Sequence, residues 1–152
     1  MAYVCPQADV VILNSGSIRL DDILIPPVSQ YDIIRSLPFG GGIVEADMKG
    51  SLLIQVLEAG TKNRNNGGFL QYQPVVFNNT TNLFMINNTS IDTTKTYRVA
   101  LTEFLMSGKE TNLDFLNPQN PGITKTYSAD TSANHPKSDI RLAIVRYLES
   151  KQ

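Results

Sequence analysis

The hydropathy pattern opens with ADVVILN, residues 8 to 14, an unbroken apolar run with β-branched residues that predicts a strand buried on both faces. It ends at NSGSIR, where Gly16 and two serines predict a tight turn. In VSQYDIIRSLPFGG, Ser29 is a candidate N-cap and Tyr31, Ile34 and Leu37 recur at helical spacing. The pattern predicts a short helix stopped before Pro38, with Phe39 on the loop beyond. GIVEADMKG predicts a strand with a turn at Gly50. SLLIQVLEAG places Leu53, Val56 and Leu57 on one side, a helix expected to end with Gly60 in a left-handed stop.

The polar tract TKNRNNGG predicts a loop, and FLQYQPVVFN a strand. NLFMI and TYRVALTEFL flank the polar turn NNTSIDTTK and are expected to pair as strand, turn, strand, running into a short helix. SGKETNLDFLNPQNPGITKTYSADTSANHP is rich in Asn, Pro and Gly and predicts one long loop. PKSDIRLAIVRYLESK carries Ile140, Ala143, Ile144, Tyr147 and Leu148 at helical spacing, with Pro136 near the helix start. Strands and helices interleave without strict alternation. An α+β domain follows, a mixed β-sheet with flanking helices.

At 152 residues the chain is long enough for one domain that buries about 70% of its unfolded surface, and no linker divides residues 1–152. Because a strand begins almost at once, the sequence reads as a fragment that starts partway through something longer. With 13 Lys plus Arg against 14 Asp plus Glu, it lacks the basic excess of a nucleic-acid binder. No apolar run approaches the roughly 20 residues of a membrane span, and the N-terminus lacks a signal-peptide pattern. Cys5 is the only cysteine and His135 the only histidine, so the chain offers neither a disulfide nor the usual ligand set of a catalytic metal. They read as a packed thiol and a loop imidazole. The Asn-x-Ser/Thr acceptors at Asn78, Asn79, Asn87 and Asn88 are explained by asparagine-rich turns.

Three turns carry candidate chemistry. Asn14 and Arg19 sit at the carboxyl end of a strand, where Arg19 could grip an anion and Asn14 could read a base or sugar edge. Phe39 stands between Pro38 and two glycines. Phe104 lies on a segment entering a loop, with Glu110 close behind. Each of these side chains taken singly has an ordinary structural explanation.

In order along the chain, ILNSGSIR, LPFG, GSLLIQVLEAG, GGFLQ and DTTKTYRVA, followed by Phe104-Leu105, resemble the carboxyl-terminal domain of the 5′-nucleotidases. That family includes UDP-sugar hydrolases and 2′,3′-cyclic-nucleotide phosphodiesterases, and the resemblance runs from about residue 8 to about residue 116. It implies a division of labour. An amino-terminal metallophosphoesterase domain of the same polypeptide, absent from this chain, would hold two divalent metal ions and hydrolyse the phosphate ester. This chain would bind no cofactor, hold no catalytic residue of its own and supply the nucleotide or nucleoside pocket.

The resemblance also assigns roles. Phe39 and Phe104 would stack on the base, Asn14 would hydrogen-bond the nucleoside, Arg19 would assist at the phosphate, and Glu110 would contact the ribose. Base–aromatic stacking is worth about 1–3 kcal/mol and tolerates different bases. The family usually carries GGDG and an aromatic where this chain has GKETNLDF. Glu110 is therefore a methylene longer than the family aspartate, Lys109 replaces a glycine, and Phe115 becomes an outer candidate for lining the pocket. The family's helix before the first motif, with an additional arginine, is missing here. The departure leaves an alternative: a non-catalytic nucleotide-binding or assembly domain of a diverged relative. Export, to periplasm or exterior, is implied by the resemblance alone.

Overall fold

In the computed structural model, which describes residues 1–151, the first apolar run forms β1 (Val10–Asn14). Val10, Ile12 and Asn14 point into one buried layer, while Val11 and Leu13 pack on the opposite one. Both faces of this strand are covered, as its pattern predicts. Ser29 caps α1 (Gln30–Ser36), and Asp32 returns the bond in a capping box. The buried stripe of α1 is Ile33 and Leu37, whereas Tyr31 and Ile34 are exposed. The expected apolar face is out of phase because this helix packs chiefly on one neighbour, the last helix.

β2 (Ile43–Lys49) passes directly into α2 (Gly50–Lys62), with no turn at Gly50 between them. The fully buried Leu53, Val56 and Leu57 of α2 each contribute about 1.5–3 kcal/mol by leaving water. Gly60 does not stop the helix, which continues to Lys62 and is capped by Asn63. A Cβ at Gly60 would meet Leu70 Cδ1 at 2.5 Å, so the glycine lets α2 lie close to β3 (Leu70–Gln73).

Pro74 divides the predicted strand FLQYQPVVFN in two, since proline has no N–H to continue a ladder. β3 pairs with β1, whereas β4 (Val75–Asn78) joins β5 (Leu83–Ile86) and β6 (Thr89–Ser90) in a small antiparallel sheet. NLFMI therefore does not pair with TYRVA as expected. β7 (Thr96–Thr102) instead lies between β1, to which it is parallel, and β2, to which it is antiparallel. The expected short helix follows as α3 (Glu103–Met106).

The long Asn- and Pro-rich segment contains a strand missed by sequence reasoning. β8 (Ile123–Tyr127) forms the sheet edge against β2, giving the order β3-β1-β7-β2-β8. The last helix, α4 (Ile140–Glu149), starts at Asp139, whose side chain accepts from the Arg141 amide, rather than at Pro136. The α+β expectation holds: a mixed sheet carries α2 and the main core on one face, and α1, α4 and the N-terminal segment on the other. No helix among the described residues is long and apolar enough to cross a membrane.

Candidate functional site

The carboxyl ends of β1 and β7 are neighbours because these strands are parallel, and the chain leaves both on the same side of the sheet. After β1 it makes one tight turn at Ser15–Ser17; after β7 it enters α3. The Leu37–Gly42 loop closes the third side. Together they enclose a cavity of about 570 Å³, a size ordinary for small-ligand sites. Asn14, Arg19, Phe39, Phe104 and Glu110 all line it. A second groove, about 490 Å³ beside β4 and β5, is lined by Pro74, Val76, Asn78, Met85, Asn87 and Asn88 and has no charged group. The chemistry therefore favours the first.

Phe39 is 67% exposed and Phe104 47%. Large apolar rings at such exposure gain little from their own fold and present surface to the cavity. Leu37, preceding Pro38, leaves the helical region (φ −128, ψ 67) and ends α1. Gly40 (φ +60) and Gly41 (φ +100) then turn the chain through backbone that glycine favours. Arg19 is held beside this loop: its N–H donates to Ser36 O at the end of α1 at 2.8 Å, and its guanidinium lies 5.0 Å from the centre of the Phe39 ring.

The floor is polar and tied together. Asn14, 4% exposed, donates through Nδ2 to Glu110 Oε2 at 2.8 Å and accepts through Oδ1 from Ser17 Oγ at 2.6 Å. The other Glu110 oxygen accepts the Thr111 N–H at 2.8 Å. Asn63, only 1% exposed, stands behind them. Its Nδ2 donates to Gly68 O (3.1 Å) and Thr111 O (2.7 Å), and its Oδ1 accepts from Asn112 Nδ2 at 2.7 Å. This joins the loop after α2 to the GKETNLDF segment, where Asn112 adopts a left-handed conformation (φ 61) that asparagine tolerates.

Sequence reasoning missed Asn63, Ser17 and Glu103. Glu103 lines the cavity and accepts the Gly42 N–H at 3.2 Å. Asn63 looked like one more asparagine of a polar loop, and only its complete burial distinguishes it. Phe115, the outer candidate, is not in the cavity. It packs against the main core and borders a separate groove with Gln55, Glu58, Ala59, Lys62 and Asn112. The turn at Asn112 carries the chain away before residue 115 could reach the cavity.

The cavity thus offers two aromatic surfaces, one cation at Arg19, and carboxylates at Glu103 and Glu110. It suits a flat ring bearing hydroxyls and an anionic group. Cys5 is buried with Ile43 and Ala100, where burial pushes its thiol above the ordinary value, and His135 approaches Asp130 at 3.6 Å; neither lines the cavity. Among the described residues no group of three or more His, Cys, Asp or Glu could hold a metal ion.

The molecule is thus an α+β domain with an aromatic and polar cavity at the ends of two parallel strands. Its family follows from sequence: the family model for the 5′-nucleotidase, C-terminal domain, matches residues 4–117, and the chain belongs to that family. Protein UshA of Escherichia coli (strain K12) is 27% identical over 150 residues, covering 88% of this chain and 27% of that protein. The chain matches Protein UshA of Yersinia enterocolitica (serotype O:8 / biotype 1B) with the same identity and coverage. It therefore spans little more than a quarter of the length of these curated relatives.

Among solved structures, that of a 5′-nucleotidase precursor from Thermus thermophilus is similar with a TM-score of 0.78 and 22% identity, over 99% of this chain and 30% of that one. Haemophilus influenzae NAD nucleotidase is similar with a TM-score of 0.67 and 23% identity, over 95% of this chain and 27% of that one. These likenesses show a shared fold.

Proposed function

We propose that this chain is the substrate-recognition domain of a metal-dependent 5′-nucleotidase, binding the nucleoside part of its substrate between Phe39 and Phe104. The observation that carries this reading is the convergence of two exposed phenylalanines, far apart in sequence, on one cavity with Asn14, Arg19 and Glu110. Stacking would supply about 1–3 kcal/mol per base and leave the choice of base permissive. Arg19 would hold the phosphate, its planar donors matching phosphoryl oxygens. Glu110, with lone pairs left after Asn14 and Thr111, would accept from ribose hydroxyls. Hydrolysis would belong to a metallophosphoesterase domain of the same polypeptide holding two divalent metal ions, in an exported protein.

The test is an NMR titration of this chain with adenosine and AMP, repeated on Phe39→Ala and Phe104→Ala. Saturating shifts in the wild type, with affinity reduced by about 1–3 kcal/mol in each variant, are expected. Absence of shifts at millimolar ligand overturns the reading. Phosphate release from AMP by this chain alone, with divalent metal added, would overturn the division of labour.

A second reading rests on the GKETNLDF segment, where Glu110 is already bonded to Asn14. In it the domain serves nucleotide binding or assembly in a relative that does not cleave. A full-length protein that hydrolyses AMP with metal removes that reading.

A further inference from the structure

The loop that presents Phe39 has little of its own to hold it. Two successive glycines in left-handed backbone carry a large conformational entropy cost, and a Cβ placed on Gly41 would find nothing within 4 Å. An exposed ring on such a loop is a weak stacking surface unless something outside the loop holds it, because binding must then supply the ordering.

What lies behind the loop is the start of α4. Ile140 N–H donates to Gly41 O at 2.9 Å, and Ile43 N–H, at the start of β2, donates to Lys137 O at 2.8 Å, so the loop and the strand it enters are each stitched once to the segment around the start of α4. Beside the stitches stands an ion pair: Arg141 donates from Nε to Asp139 Oδ1 at 2.9 Å and from Nη2 to Asp139 Oδ2 at 2.5 Å. Asp139 also caps the helix by accepting the Arg141 N–H at 2.8 Å. Burial pushes the Asp139 carboxyl upward, but the Arg141 hydrogen bonds outweigh it and hold the group below its ordinary value. The pair abuts Gly40 so closely that a Cβ there would meet Arg141 Nη2 at 2.5 Å and Asp139 Oδ2 at 2.7 Å. Residue 40 is thus bare on the side where the guanidinium sits. Arg141 also lies outside the residues 4–117 matched by the family model.

We propose that Arg141, oriented by Asp139 at the start of α4, is a positioning residue for ligand recognition: it backs Gly40 and holds the Leu37–Gly42 loop so that Phe39 is presented in its binding position. This rests on the nucleoside reading of the cavity. Arg141 acts through Phe39 and touches no ligand. The bidentate geometry matters, because a lysine ammonium cannot reproduce the planar fork.

The experiment uses the full 152-residue chain and adenosine as the probe, in a double-mutant cycle between positions 39 and 141. Arg141→Ala is expected to weaken adenosine binding about tenfold, the scale of ordering one side chain on binding. It should also speed amide exchange at Gly40 and Gly41 in the ligand-free chain, with Arg141→Lys intermediate. In the Phe39→Ala background the same change should cost nothing further, a result that general loosening of the fold would not produce. Unchanged affinity in Arg141→Ala, or an equal loss with and without Phe39, overturns the proposal. If Arg141→Ala fails to fold, Asp139→Asn carries the same cycle, since asparagine keeps the cap and removes the charge. A wild-type chain that does not bind adenosine sinks the nucleoside reading before any variant is compared. The brace is then judged on ligand-free exchange, and unchanged exchange at Gly40 and Gly41 overturns it.

Discussion

Phe104 and Phe39 line one cavity with exposed rings, but their supports differ. Phe104 stands in the first turn of α3, directly after β7, and the buried Thr102 side chain caps that helix by accepting the Leu105 N–H at 3.3 Å. The cap that places it lies close by in sequence, on ordinary backbone. Phe39 follows a proline, precedes two left-handed glycines, has the Arg19 guanidinium 5.0 Å from its ring centre, and lies on a loop backed by Asp139, Ile140 and Arg141, about a hundred positions further along. One wall of the cavity is capped locally and the other leans on tertiary contact with α4, and the two meet where Glu103 and Gly42 exchange hydrogen bonds at 3.0 and 3.2 Å. The first should survive distant changes that the second does not.

The largest effect expected from this contrast comes from Gly40→Ala. Left-handed backbone costs an ordinary residue about 1–2 kcal/mol, and moving the end of the Arg141 side chain off a new methyl, at the cost of its ion pair, adds about 1 kcal/mol. A total loss of about 2–3 kcal/mol in urea unfolding is expected. Gly41→Ala meets open space, so its loss is all backbone, at a φ of +100 that L side chains rarely adopt. Arg141→Ala should therefore relieve part of the Gly40→Ala loss and none of the Gly41→Ala loss, and no relief at Gly40 would break the comparison.

On the other wall, Thr102→Ala removes a neutral cap and should cost about 1 kcal/mol. Its chemical-shift changes should gather at α3 and Phe104 and reach the loop at Gly42, which Glu103 bonds in both directions, fading before Gly40. Equal shifts at Gly40 and Gly42 would mean that the walls are one unit.

The smallest effect is one of pH. The hydrogen bonds from Ser29 hold the Asp32 carboxyl below its ordinary value. Asp139, raised by burial but lowered further by its Arg141 hydrogen bonds, is depressed as well. A carboxylate depressed in the folded state contributes stability above its unfolded value, about 3.9 for Asp, and that stability is lost as pH falls through the folded value. Both helices that support Phe39 begin with such groups, whereas the cap beside Phe104 is an uncharged threonine. Acidification below about pH 4 should therefore loosen the Gly40–Gly41 amides before those of α3, read as amide exchange against pH. The Asp47–Arg98 pair adds to the general loss in the same window, since the Arg98 hydrogen bonds hold Asp47 down.

Much of this contrast follows how far each feature can be read along the chain. β1, α2 and α4 declare themselves by apolar periodicity, and the Ser29 cap by a residue type whose oxygen suits an orphan N–H. The stripe of α1 escapes such reading because a helix of 7 residues allows more than one apolar phase, and only the partner helix chooses between them. β8 is hidden because an edge strand buries little and so needs no apolar alternation; its three central residues are exposed, and its order comes from pairing with β2. The partner of β5 cannot be inferred from proximity, since Pro74 sends β4 to it and frees β7 for the larger sheet.

What can be read along the chain is what local energetics settle: buried runs, caps, the presence of the main helices, and four of the five expected cavity residues, Asn14, Arg19, Phe39 and Phe104, which sit in recognisable motifs, while Glu110 lies in a departure from one. Which parts meet is settled by packing between distant segments. That packing set Asn14 against Glu110 across 96 positions, buried Asn63 as the tie beneath them, and placed Arg141 behind Gly40. The reason is the range of the forces. A cap or a helical stripe is settled by atoms a few residues apart, whereas a hydrogen bond between distant loops forms only after the sheet has closed the chain between them and met that entropy cost through its core.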